Sequence, residues 1–494
     1  MIEFDLLRVG DVPEAKDKED LVKDLELGKI LDAVAQKDEL IRGVWSHVLL
    51  LSGADVEPIR YRQEAVKDAI QNRDVVVELY RFTGDVITRT ERAAFLVTYD
   101  NPELVVLETA AGMRVMIDAF KDLKGILSRA SFSSQAFQGL VNTIRENVDE
   151  NFIASAKELL GFFDIRNNTL EFSVKLGAHN TLVDPVVLAP KKEGGVIRKL
   201  FNRESAYEFR LDPHDERGAE ILGDVRKWVL AGLAPTMLNA YEHLLQFFKT
   251  LNGQLAFFVG AINLHDLFQR LELPLAYPEF SEGTLSFRDL HCLSLAISLN
   301  GRPVPNSLET RNVSAFIITG ANRGGKTTFL RSVGQAILLA RAGVFVPASR
   351  LALPSAGAPH THFQREEERT MSYGKFEEEV IRFRKLVDLV RPGDYVLMNE
   401  SFSTTNQVEA SEVAKQVVSA LVDSGVTVFY VTFLQDFIHH FVKEYGDRVV
   451  LLTPERLKDG TRTFRLVRGS VQPGYALDIW DKLFKREGSA VKAL

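Results

Sequence analysis

One stretch limits the folding choices of this chain more than any other: VSAFIITGANRGGKTTFLRSVGQAILLA, residues 313–340. A short apolar run ends in a glycine-rich turn, and the turn opens into an amphipathic helix. That order fits a strand-to-helix crossover in a layered α/β domain. The turn, Gly320-Ala321-Asn322-Arg323-Gly324-Gly325-Lys326-Thr327, satisfies G-x-x-x-x-G-K-[ST], and Thr328 follows it. Glycines let backbone N–H groups turn inward around phosphate oxygens, and the following helix aims its positive end at the same anion. In this pattern Lys326 reaches the β- and γ-phosphates and the Thr327 hydroxyl completes a Mg²⁺ shell. ATP and Mg²⁺ are therefore the expected ligands, with residues 320–328 as the cradle.

Such a site needs a second strand that ends in a metal-holding group and a base. YVLMNESFSTTN, residues 395–406, supplies an apolar run followed by Asn399 and Glu400. Asn399 stands where a charged Asp is expected. Its amide oxygen still accepts from a metal-bound water but brings no charge, so weaker metal binding is expected. Glu400 keeps the general-base position. AFIIT, YVLM, VTVFYVT and RVVLLT alternate with helical segments, which reads as an α/β domain with a mainly parallel sheet.

The rest of the chain has a different texture. Leu21, Leu25, Leu27, Ile30, Leu31 and Val34 make an apolar helical face within residues 1–60. Two longer periodic segments follow, one through Phe137, Val141, Ile144, Val148, Phe152, Ala156 and Leu159, the other from about Glu220 to Leu271. They read either as a long antiparallel rod or as core helices of a bundle. Between them, residues 167–218 alternate like short strands and then turn glycine-broken and basic. Lys191, Lys192, Arg198, Lys199 and Arg203 are candidate DNA-backbone contacts, or simply a solvated loop. LELPLAYPEFSEG, residues 271–283, carries two prolines and reads as a linker. The expected segmentation is thus 1–60, helical core and lever over 61–270 with a β-rich tip, the linker, and an ATPase domain over 284–494.

Composition narrows the setting. The chain has 494 residues, and 60 Lys+Arg against 67 Asp+Glu leave a net charge of −7, so nucleic-acid contact must be local. A single cysteine, Cys292 in HCLSLAISL, excludes an internal disulfide and reads as a small buried apolar residue suited to a reducing compartment. The first residues lack the pattern of a signal peptide, and no apolar run approaches the ~20 residues of a membrane span. A cytoplasmic protein without membrane contact is expected. His360 and His362, in PHTHFQREEER, match no closed zinc spacing.

ITGANRGGKTTFLRSVGQAILLARAGVFVPA, NESFSTTN and RTFRLVRGSVQPGYALDIWDKLF are similar to the nucleotide-binding domain of the MutS DNA mismatch-repair ATPases. DLELGKILDAV, IRYRQEAVKDAI and the long helices resemble that family's core and lever. The Asn-Glu-Ser-Phe form resembles a shorter MutS-related branch lacking the mismatch-reading domain. The resemblance implies an ABC-type P-loop NTPase head, a homodimer with each ATP shared between subunits, and DNA duplex as partner. It assigns RTMSYGKFEEEV to the signature segment, with Ser372, Gly374 and Lys375 as contacts across the dimer and the acids Glu377 to Glu379 opening the next helix. It also exposes a departure: Phe433 stands where the family has a His that senses the γ-phosphate, which with Asn399 implies slow hydrolysis. A non-hydrolysing, ATP-gated clamp or scaffold for a protein partner is the alternative.

Overall fold

The computed structural model describes residues 4–53, 55–94, 101–161, 163, 172–176, 178, 182–187, 216–365, 374–457 and 461–469. They fall into two compact units, one built from Met1–Asp5, Asn72–Ser133 and Phe137–Ala256, the other from Leu6–Gln71, Ser134–Ala136 and Phe257–Leu494. This division departs from the linear segmentation. The first 60 residues, expected with the helical core, pack almost entirely with the sheet domain.

Helices α1 (Lys18–Asp24), α2 (Leu27–Ala35), α3 (Glu39–Leu49) and α4 (Val56–Gln71) open the second unit. The stripe Leu21, Leu25, Leu27, Ile30, Leu31 and Val34 is at most 3% exposed, so its 3.6-residue period does face a core. Arg62 in α4 explains the attachment. Its buried guanidinium donates to the carbonyls of Arg341 (2.8 Å), Ala342 (3.0 Å) and Leu7 (2.9 Å). A buried cation so satisfied joins segments that are 280 residues apart in sequence.

The other unit holds α5 (Arg73–Ala93), α6 (Pro102–Leu127), α7 (Gln135–Asn147), α8 (Glu150–Gly161), an antiparallel hairpin of β1 (Phe172–Leu176) and β2 (Leu182–Val187), and most of α9 (Glu216–Arg270). The long α9 is as the periodicity predicts, 55 residues or ~80 Å of helix. The earlier stripe is not one helix. Asp149 interrupts it, its carboxylate accepting from the N–H of Phe152 at 2.6 Å to start α8. Phe137, Ile144 and Val148 are buried, whereas Phe152 and Leu159 are exposed. Close packing of α6 on α9 depends on Gly112, where a Cβ would lie 2.5 Å from the Tyr241 ring. The hairpin falls within residues 167–218, where short strands were expected. Lys191, Lys192, Arg198, Lys199 and Arg203 lie outside the described residues.

Beyond α9 come β3 (Glu279–Phe280), β4 (Thr284–Leu290), α10 (Leu293–Leu299), β5 (Asn306–Arg311), β6 (Ala315–Ile318), α11 (Lys326–Arg341), β7 (Arg350–Leu353), β8 (Pro359–Phe363), α12 (Lys375–Val387), β9 (Tyr395–Asn399), α13 (Gln407–Asp423), β10 (Thr427–Val431), α14 (Gln435–Tyr445), β11 (Val449–Arg456) and β12 (Arg462–Arg468). Segment 271–283 is no free linker. Ala276 exchanges both backbone hydrogen bonds with Val346, Leu271 and Leu273 are buried, and β3 pairs with β7. The main sheet runs β12-β11-β6-β10-β9-β8, parallel except for the antiparallel hem β12. A second sheet, β3-β7-β4-β5, was not anticipated from the sequence.

Both faces of the main sheet are covered, which is why its strands read as unbroken apolar runs. On one face Ile317, Met398 and Tyr430 meet Phe383 of α12, Val418 of α13 and Phe437 of α14. On the other, Phe316 stacks on Phe429 (4.5 Å, 11°), and Gly334 of α11 approaches Leu397. Cys292 is buried and its thiol pKa is pushed up by that burial, so it serves packing as read. No described helix is long and apolar enough to cross a membrane.

Candidate functional site

Strand register assembles the site. Ile318 of β6 lies beside Val431 of β10, and Val431 beside Asn399 of β9. The carboxyl ends of three adjacent parallel strands are therefore level, and the loops leaving them open on one edge, where open α/β sheets place ligands. After β6 comes the glycine-rich turn, at the end of β9 Asn399 followed by Glu400, and after β10 Phe433.

The turn cannot be built from larger residues. Gly320 has φ +120°, and a Cβ there would stand 2.8 Å from Pro454 of β11. Gly325 has φ +91° and caps α11 in the left-handed region. Gly320 to Thr328 thus form the continuous loop and first helical turn that the motif demands.

Lys326 is only 5% exposed. Its ammonium donates to the carbonyls of Gly320 (2.8 Å) and Ala321 (3.1 Å) and to Asn322 Oδ1 (3.3 Å). The Phe433 ring covers it at 4.4 Å, a cation–π contact made by the residue that departs from the family pattern. Burial draws the Lys326 pKa below its ordinary value, with Glu400 opposing. Thr327 Oγ1 donates to Asn399 Oδ1 at 3.2 Å across 72 residues of sequence. Two neutral oxygens thereby stand together beside Glu400, a donor set that suits a hard cation.

The Glu400 loop is tightly specified. Glu400 (φ +55°) and Phe402 (φ +65°) both sit in the left-handed region, which residues bearing a Cβ rarely adopt. Glu400 N–H donates to Val431 O (2.8 Å), and Tyr430 Oη donates to Ser401 O (2.5 Å). Ser401 Oγ donates to His362 O, and His362 Nδ1 lies 2.7 Å from the same oxygen. Since the hydroxyl has a single proton, Nδ1 carries the other, and Nε2 is left to accept from Arg382 (3.2 Å). His362 is thus neutral. Burial first, then the Arg382 charge, holds its pKa down at about 3. Glu379 completes the frame, accepting from Phe402 N–H and the Thr404 hydroxyl, each at 2.7 Å.

Two residues along β8, His360 meets the opposite environment. Its Nδ1 lies 2.7 Å from Asp17 and its Nε2 3.4 Å from Asp394. Burial alone would depress its pKa, but the two carboxylates outweigh that and raise it to about 9. Asp17 stands at the N-cap position of α1 without making a capping bond, because its side chain is turned to His360.

The remaining candidates distribute unevenly. Gly374 and Lys375 are the exposed cap and first residue of α12, while Ser372 lies outside the described residues. Among the acids read as opening that helix, Glu379 is buried. The sequence carried that signal: Glu379 is in phase with Phe383 and Leu386, an acid on the apolar face of its helix. His362, Ser401 and Tyr430 were missed because pairings across strands leave no local pattern. His439 and His440 are exposed on α14.

A covered, mainly parallel sheet with this turn at its carboxyl edge defines a P-loop NTPase-like domain. Residues 316–473 match the family model for MutS domain V, and residues 54–271 match that for the MutS2 N-terminal domain. The chain is similar to Endonuclease MutS2 of Carboxydothermus hydrogenoformans, 31% identical over 229 residues, covering 45% of this chain and 28% of the relative. DNA mismatch repair protein spellchecker 1 of Drosophila melanogaster is 28% identical over 271 residues, covering 49% and 28%. Endonuclease MutS2 of Thermus thermophilus is 27% identical over 179 residues, covering 35% and 23%. The matched segments span less than a third of each of these relatives. The chain belongs to the MutS-related family.

Proposed function

We propose that the chain is an ATPase that binds ATP with Mg²⁺ at the turn 320–328 and couples its nucleotide state to a grip on duplex DNA. The observation that carries this reading is the approach of Thr327 to Asn399 beside the curled Lys326. On binding, Lys326 exchanges neutral carbonyl acceptors for charged phosphate oxygens, the stronger partners for an ammonium. Thr327 and Asn399 hold the metal side. Bound Mg²⁺ supplies charge neutralisation across the outer phosphates. Glu400 orients the attacking water and takes its proton on a carboxylate oxygen. The reading includes an ABC-type head closed by a second copy, with Ser372 and Lys375 meeting the nucleotide of the partner subunit.

The DNA assignment draws on the relatives named as an endonuclease and as a mismatch-repair protein. It predicts duplex affinity that falls steeply as salt rises, because neutralising several phosphates releases their counterions. A flat salt profile would count against it.

A second reading, an ATP-gated clamp that does not hydrolyse, is favoured by the uncharged Asn399 and by Phe433 over Lys326. Steady-state phosphate release separates the two. The wild-type chain should turn over, and Glu400→Gln should lower the rate about a hundredfold, the ordinary size of a general-base contribution, while ATP still binds. Equal background rates would leave the clamp.

A further inference from the structure

We infer that Glu379 is the positioning residue of the Glu400 loop, the strut by which helix α12 sets where Glu400 stands. Its carboxylate is divided between two points on that loop, Oε1 taking the Phe402 N–H and Oε2 the Thr404 hydroxyl. Hydrogen bonds to a buried carboxylate are stronger than those between neutral groups. The loop requires such a hold. Glu400 and Phe402 both occupy a sparsely populated backbone conformation that persists only where the surroundings over-determine it.

The cost of placing Glu379 where it is argues for the same role. An acid on the face shared with Phe383 and Leu386 forgoes hydration, and a leucine would pack there without that penalty. The compensating bonds go to the loop, not to the helix's own N-terminal amides. Arg382, one turn on, ties α12 to the strand behind by donating to Phe363 O at 2.6 Å. Lys375 to Glu379 is a little over one helical turn, too short to bend. A displacement at the start of α12, the end proposed to meet a second copy, therefore reaches Phe402 with little loss. This role rests on Glu400 acting as the proton acceptor, as proposed above.

The test uses the full chain with Glu379→Ala, Glu379→Gln and Thr404→Val. Steady-state phosphate release gives kcat and KM, and hydrogen exchange reads the Phe402 amide. Glu379→Ala should lower kcat tenfold or more with KM within about threefold, as misplacement of a reacting group does, and should speed exchange at Phe402. Glu379→Gln keeps an acceptor for that N–H and an amide that a rotated Thr404 hydroxyl can meet, so it should restore most of kcat. If Glu379→Ala does not fold, Thr404→Val removes one bond of the pair from a half-buried position and should still lower kcat alone. Unchanged exchange and unchanged kcat would overturn the strut. A wild-type chain that releases no phosphate would sink the ATPase reading alone, since the exchange comparison still decides whether Glu379 holds the loop.

Discussion

Lys326→Ala should weaken ATP binding by on the order of 10²–10³-fold, the usual consequence of deleting one partner of a desolvated charge pair. Lys326 is almost wholly buried, and its charge is held by three neutral oxygen acceptors and one aromatic face. Those contacts spread the ammonium over weak acceptors, so a triphosphate can recruit it by offering better ones. Alanine leaves the turn itself in place, because Gly320 and Gly325 rather than Lys326 fix the backbone there. Titration of a fluorescent ATP analogue, with circular dichroism to confirm the fold, measures the loss. Affinity retained within a few-fold would mean that phosphate binds elsewhere.

Resistance to unfolding should peak near pH 6.5 and decline on both sides, because two histidines of one strand pull in opposite directions. His360 has a folded pKa of about 9 against an ordinary 6.5. A raised value contributes stability that is complete below 6.5 and is lost as pH climbs through 9, about 3 kcal/mol in all. His362 has a folded pKa of about 3 against the same 6.5. Its buried ring resists protonation, so acid favours the unfolded chain below 6.5, by roughly 2 kcal/mol at pH 5. Urea midpoints at pH 5, 6.5 and 9 would show this. His360→Asn should flatten the alkaline limb, and His362→Asn the acid limb. A wild-type midpoint that does not move between pH 6.5 and 9 would refute the His360 assignment.

These residues also show what a sequence reveals and what it conceals. The turn 320–328, the strands β6, β9, β10 and β11 and the helix α9 were legible, because each is encoded by a short-range pattern with the correct period. The β3-β7-β4-β5 sheet was not, since β3 has only two residues and β4 and β5 alternate buried with polar positions, without the unbroken apolar run that marks the main sheet's strands. The break at Asp149 was hidden because one capping carboxylate overrode a stripe that continues through it. The docking of Leu6–Gln71 on the sheet depends on Arg62 and on Gln335, whose amide donates to Leu25 O (2.8 Å) and accepts from Leu293 N–H (2.9 Å). Within the site, Lys326, Thr327, Asn399 and Glu400 were placed by motif. Glu379 and His362 act through partners 20 to 39 residues away, and no local period records such pairings.

The antiparallel hem bears on how the protein behaves when concentrated. Among the described residues β12 is the outermost strand on its side, and an outermost strand offers a template for foreign chain. Arg462, Arg465 and Arg468 recur along it, so guanidinium groups punctuate its length. Part of that margin is already occupied, Leu466 N–H donating to Asn306 Oδ1 and Arg468 to Glu309 O of β5, and a stray strand meets positive charge along the rest. Positive charge thus lines one of the two margins of this sheet, β8 forming the other among the described residues, where added strands could otherwise grow.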